Sequence, residues 1–157
     1  MVIAIIGESC TGKSTLAKSL REALRGEVFS GKDYLRLAKD EAQAACLFAE
    51  RLKASVAGKP PLIYVVSERE QLGLLPTGAV RVLMTCDLQT IKERFSERMQ
   101  GTLPPPVAAM LEKKHGLFDA VAYDLQINGA EGTPQEARDA VLGYLEAHGF
   151  VAQGSQR

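Results

Sequence analysis

The chain has 157 residues, the length of one domain. Lys plus Arg and Asp plus Glu both number 19, so the net charge is zero, which argues against a generic nucleic-acid binder. Hydrophobic residues make up 46% and charged residues 24%, an ordinary balance for a globular protein, and no run approaches the ~20 apolar residues that span a bilayer.

Strands and helices alternate along the chain. Val2 to Ile6 reads as a buried parallel strand. After Gly7 to Ser14 comes a helix from Lys13 to Arg25, with Leu16, Ala17, Leu20 and Leu24 on one face and Gly26 as its C-cap. Glu27 to Ser30 is a short second strand. Gly31-Lys32-Asp33 is a turn, in which Asp33 can cap the next helix. One long helix is expected from Leu35 to Val56, carrying Leu35, Ala38, Ala42, Ala45, Cys46, Ala49 and Leu52 inward. Gly58-Lys59-Pro60-Pro61 ends it. Leu62 to Val66 is a strand apolar throughout; a short helix is expected over Glu68 to Leu72 and a fourth strand over Ala79 to Thr85. Leu88 to Met99 is helical, Gly101 to Pro106 is a rigid break, and Val107 to His115 is helical again. Tyr123 to Ile127 is a fifth strand and Pro134 to His148 a last helix. Such alternation predicts an α/β fold, a five-stranded parallel sheet with helices on both faces. One domain is expected over residues 1 to 151, with a short flexible tail over 152 to 157.

Gly7-Glu8-Ser9-Cys10-Thr11-Gly12-Lys13-Ser14 fits G-x-x-x-x-G-K-[ST], the P-loop pattern, and Thr15 continues into the helix. Its place between a strand and a helix is the setting in which this pattern cradles phosphate. Glycines allow close backbone approach, and the loop N–H groups together with the positive helix end attract anionic oxygens. Lys13 would reach the β- and γ-phosphates of ATP, and Ser14 would ligate Mg²⁺. The fold so implied is the P-loop NTPase three-layer sandwich. Ligands of open parallel sheets sit beyond the carboxyl ends of the strands, so the loops after Ile6, Ser30, Val66, Thr85 and Ile127 should form the site. Cys10 stands either as a reactive thiol at a helix N-terminus or as a tolerated small residue. The scattered, odd-numbered cysteines Cys10, Cys46 and Cys86 suggest a cytoplasmic protein without a disulfide framework.

The P-loop, the size and the element order resemble the nucleoside-monophosphate kinases, with adenylate and cytidylate kinases nearest. Ser30-Gly31-Lys32-Asp33-Tyr34-Leu35-Arg36 is similar to the Thr-Gly-Asp-x-Leu-Arg of adenylate kinases, with one residue added. The resemblance implies that Arg36 binds the acceptor phosphate beside Asp33. Arg94 and Arg98 lie one helical turn apart, on a segment that looks like the helix entering a lid over roughly residues 99 to 112. In that family such arginines neutralise the transferring phosphoryl group. An adenylate kinase ends its third strand in Asp-Gly-x-Pro-Arg, whereas this chain has Ser67-Glu68-Arg69. Asp33, Ser67 or Glu68 would then hold Mg²⁺ through water, and Arg69 is a further candidate acceptor contact. The activity implied is transfer of the ATP γ-phosphoryl group to a small acceptor, here a nucleoside monophosphate. Two alternatives stay open. A shikimate- or gluconate-kinase-like enzyme would use Asp33 as base toward a hydroxyl, and a non-catalytic nucleotide-binding regulator would need no acceptor. The expected partners are small molecules, with no nucleic acid and no membrane, and the chain would be a monomer or a homodimer.

Overall fold

Residues 1 to 151 are described by the computed structural model; the tail expected over 152 to 157 lies outside the described residues. Five strands, β1 (Val2–Ile6), β2 (Glu27–Ser30), β3 (Leu62–Val66), β4 (Val80–Thr85) and β5 (Leu125–Asn128), form one sheet in the order β2-β3-β1-β4-β5. Every pairing is parallel, as crossovers through helices require. β1 lies at the centre and is buried on both faces, which is why its five residues are apolar without alternation. Ile3 and Ile5 face α1 (Lys13–Leu24) and α5 (Pro134–Ala147), packing with Leu16, Leu20, Val141 and Leu145. Val2, Ala4 and Ile6 face the other way, toward Phe29, Phe48 and Tyr64 beneath α2 (Glu41–Ser55). The α/β architecture with helices on both faces is as expected.

The segment after β2 differs from its expectation in sequence. It is not one long helix: a 3-10 turn spans Asp33–Leu37, Ala38 is extended, and α2 starts only at Glu41. Asp40 is the cause, since its side chain accepts from the Gln43 backbone N–H at 2.9 Å and caps α2 there. The buried face also shifts. Ala42 and Cys46 are exposed, while Ala44, Phe48 and Leu52 are buried. Phe48 sets that face by entering an aromatic cluster 4.8 Å from Phe29 and 5.3 Å from Tyr34, with Tyr64 edge-on. Smaller differences have local chemical causes. Arg25, not Gly26, takes the left-handed position ending α1, with φ 54°. Gly26 has another need, because a Cβ there would meet the Pro61 carbonyl oxygen at 2.8 Å. The short helix expected at Glu68 is a 3-10 turn over Arg69–Leu74. α3 (Leu88–Arg98) and α4 (Pro105–Lys114) stand either side of a turn in which Gln100 and Gly101 both have positive φ. α4 begins two residues before its expected start because proline is tolerated in a first helical turn. Among the described residues no helix is long and apolar enough to cross a membrane.

Candidate active site

β1 delivers the chain into the phosphate loop, and two residues take left-handed conformations there: Cys10 with φ 62° and Gly12 with φ 99°. Gly7 lies so near β4 that a Cβ would stand 2.6 Å from the Met84 carbonyl oxygen. The loop is closed from inside. The Thr11 hydroxyl and the Lys13 ammonium both donate to the Glu8 carbonyl, at 2.9 and 2.5 Å. Lys13 is only 6% exposed. Burial therefore pushes its pKa from the ordinary 10.5 down to about 8, with Cys10 the main opposing influence, Arg98 acting in the same direction as burial, and Glu8 and Glu68 opposing more weakly. Ser14 and Thr15 are exposed at the start of α1. Cys10 is buried with Cys86, Ile91 and Leu111, so it is a packed side chain and not an exposed thiol.

A cleft of about 250 Å³ opens beside the loop. One wall is Cys10 to Gly12, another is the stretch Asn128 to Thr133 after β5, and Arg94 and Arg98 reach in from α3. Arg98 is exposed at the end of α3, while Arg94 is half-buried and donates to the carbonyls of Cys10 at 3.0 Å and Gly129 at 2.7 Å. Gly129 has no room for a side chain, since a Cβ would lie 1.9 Å from the Thr11 carbonyl oxygen. The Asn128–Gly132 loop lines this cleft, and its residues are not among those expected from the sequence. Its signal is present in the two glycines just after a strand end.

The other side of the phosphate loop is nearly sealed. Glu8, Ser9, Ser67, Glu68 and Lys114 line a pocket of only about 30 Å³, room for about one water. The end of α4 closes it. Glu8 takes His115 Nδ1 and the Gly116 N–H, both at 3.1 Å, and Lys114 pairs with Glu68 at 2.9 Å. Buried Gln71 fixes the tip of β3 by accepting from the N–H groups of Ser67 and Glu68.

The remaining expected residues are more scattered. Asp33 is exposed and accepts from the Ser30 N–H at 2.9 Å, closing its own turn. Ser30 and Ser14 line one shallow groove beside α1. Arg36 lies with its guanidinium 4.5 Å above the Phe29 ring, on which Arg51 also rests. Arg69 is exposed at the start of its 3-10 turn. The structure thus gathers Lys13, Arg94 and Arg98 around the phosphate loop and leaves Arg36 on the flank of the β2 edge strand. Among the described residues no three His, Cys, Asp or Glu side chains cluster to hold a metal.

No family model and no curated protein sequence matches the chain. Solved structures do match it. A sugar kinase from Janibacter superposes with a TM-score of 0.65 at 15% identity, over 92% of this chain and 94% of that one. A gluconokinase from Sinorhizobium meliloti gives 0.63 at 17% identity over 97% of each chain. A shikimate kinase from Aquifex aeolicus gives 0.55 at 20% identity over 96% of this chain and 99% of that one. The fold is that of the P-loop kinases. At these identities the likeness establishes architecture, and the chemistry has to come from the residues. In this chain the loop between β1 and α1 has close backbone neighbours on two sides, Gly7 against the Met84 carbonyl and Thr11 against Gly129.

Proposed function

We propose that the chain is a phosphotransferase that moves the γ-phosphoryl group of ATP to a small acceptor. The observation that carries this reading is a cleft lined by Cys10 to Gly12 of the Gly7–Ser14 loop, by Arg98 and by a second wall from Asn128 to Thr133, with the buried Lys13 ammonium on the same loop under the influence of the Arg98 charge. The loop N–H groups and Lys13 would hold the phosphates, and Arg98 would offset charge as the phosphoryl group transfers. ATP supplies the phosphoryl group and Mg²⁺ arrives with it, which suits a site whose protein ligands are few: Ser14 with Asp33 or Glu68 through water. A desolvated ammonium fits an anionic partner, because phosphate oxygens would restore its ordinary pKa. Below pH 8 the Lys13 amine is charged with or without nucleotide. Above it the empty protein has lost the proton and must regain it, so ATP affinity should fall as pH rises through 8. Calorimetry at pH 8 in two buffers of different ionisation enthalpy should report uptake of about half a proton per ATP bound. Absence of uptake would sink the phosphate role of Lys13.

For the acceptor, the geometry favours a hydroxyl compound such as a sugar or sugar acid. Glu68 sits at the β3 tip beside Glu8, Ser9 and Ser67 of the small pocket, where its pairing with Lys114 would have to open for it to act as base toward a hydroxyl, and Arg36 stands apart. The sugar kinase and gluconokinase folds support this reading. A nucleoside monophosphate is the second reading. It rests on the Asp33-Tyr34-Leu35-Arg36 segment and on the weak ring contact that holds Arg36, which a phosphate can replace. A coupled ATP-consumption assay over sugars, sugar acids and nucleoside monophosphates decides. With a hydroxyl acceptor, Glu68→Gln should lower kcat by roughly 10² to 10⁴ while Arg36→Ala leaves the acceptor KM unchanged. The reverse pattern would establish the nucleotide acceptor. ATP binding without turnover on any acceptor would mark a regulator.

A further inference from the structure

Arg94 and Arg98 enter the same cleft from the same face of α3, yet their surroundings differ. Arg98 is exposed. Arg94 has committed two nitrogens to backbone carbonyls 35 residues or more away in sequence, Cys10 on the phosphate loop and Gly129 after β5. Both carbonyls belong to chain that cannot be placed freely. Cys10 is held in a left-handed conformation, and Gly129 is pressed against Thr11 and donates its own N–H to the Thr85 carbonyl at 2.6 Å. A planar guanidinium can bridge two acceptors from one fixed plane; an ammonium on a flexible stem cannot bridge this pair in the same way. We infer that Arg94 is a positioning residue that clamps the Asn128–Gly132 loop to the phosphate loop and so sets the width of the seat for the donor's nucleoside. Arg98 alone is then the α3 arginine that faces the phosphates. This division rests on the nucleotide-binding reading, but the clamp itself is a property of the empty protein.

The test uses the full chain. Without nucleotide, amide exchange over residues 128 to 132 should run about tenfold faster in Arg94→Lys than in wild type, and be unchanged in Arg98→Lys. Arg94→Gln, with no charge, serves as the second variant should Arg94→Lys not fold. Calorimetry then compares ATP with inorganic tripolyphosphate, which fills the phosphate loop but not the nucleoside seat. Arg94→Lys should lose several-fold more affinity for ATP than for tripolyphosphate, whereas Arg98→Ala should lose the same factor for both. Unchanged exchange in Arg94→Lys, or equal loss on the two ligands, overturns the clamp and makes Arg94 a phosphate ligand. A wild type that binds neither ligand while exchange still responds to Arg94→Lys refutes the nucleotide reading and leaves the clamp standing.

Discussion

Replacing Lys13 by Met should slow phosphoryl transfer by roughly 10² to 10³ and at the same time make the empty protein more stable. The two effects share one cause. Lys13 is 6% exposed and its pKa falls from 10.5 to about 8 because the fold strips water from the ammonium. The unfolded chain therefore binds more protons than the folded one between these values, and stability rises as pH rises through that window. Below pH 8 the full penalty applies, about 3 kcal/mol from the gap between 10.5 and about 8. Methionine removes it and keeps the stem's packing, at the loss of one hydrogen bond to the Glu8 carbonyl, about 1 kcal/mol. A net gain of roughly 1–2 kcal/mol at pH 7 is expected, shrinking toward pH 10, together with a fall in kcat of roughly 10² to 10³. Denaturant melts of the nucleotide-free protein at pH 7 and 10 check the first part and steady-state assays the second. A variant less stable than wild type at both pH values would show that Lys13 braces the loop instead of straining it.

Gly129→Ala should be the most damaging glycine-to-alanine change among the described residues. The added Cβ would stand 1.9 Å from the Thr11 carbonyl oxygen, a backbone atom that no rotamer can move aside. The loop after β5 must retreat from the phosphate loop, which also pulls the Gly129 carbonyl away from Arg94. A loss of ~3 kcal/mol or more is expected, a fall in Tm of ~6–12 °C, with donor affinity reduced alongside. Gly143→Ala is the matched control. Gly143 lies inside α5 with nothing within 4 Å of its Cβ position, so alanine there should stabilise by ~0.5–1 kcal/mol through helix propensity. Thermal melts of the pair decide. Equal melting temperatures would mean that the β5 loop can shift freely.

Local pattern makes part of this structure legible in the sequence. Val2 to Ile6 has to be a central strand because nothing polar interrupts it, and Gly7, Gly12, Lys13 and Ser14 mark a loop that runs into the first turn of a helix. The helix after β2 is hard to read because its periodicity rests on small residues. Ala42 and Cys46 fit a stripe as well as Ala44 does, and only tertiary contact shows that Phe48 decides the face. Asp40 is a legible cap, but the alanines around it mask the break. The split between Arg94 and Arg98 is not legible at all. Their spacing is the same whichever carbonyls lie nearby, and those carbonyls come from residues distant in sequence.

The two sides of the phosphate loop are unequal in the empty protein: a cleft of about 250 Å³ stands open on one and a pocket of about 30 Å³ on the other. The contacts that shut the smaller side, Lys114 with Glu68 and His115 with Glu8, involve the same carboxylates whose charges act on Lys13. The charges around the loop thus tie its two sides together: Glu8 and Glu68 face the buried ammonium and also anchor the end of α4.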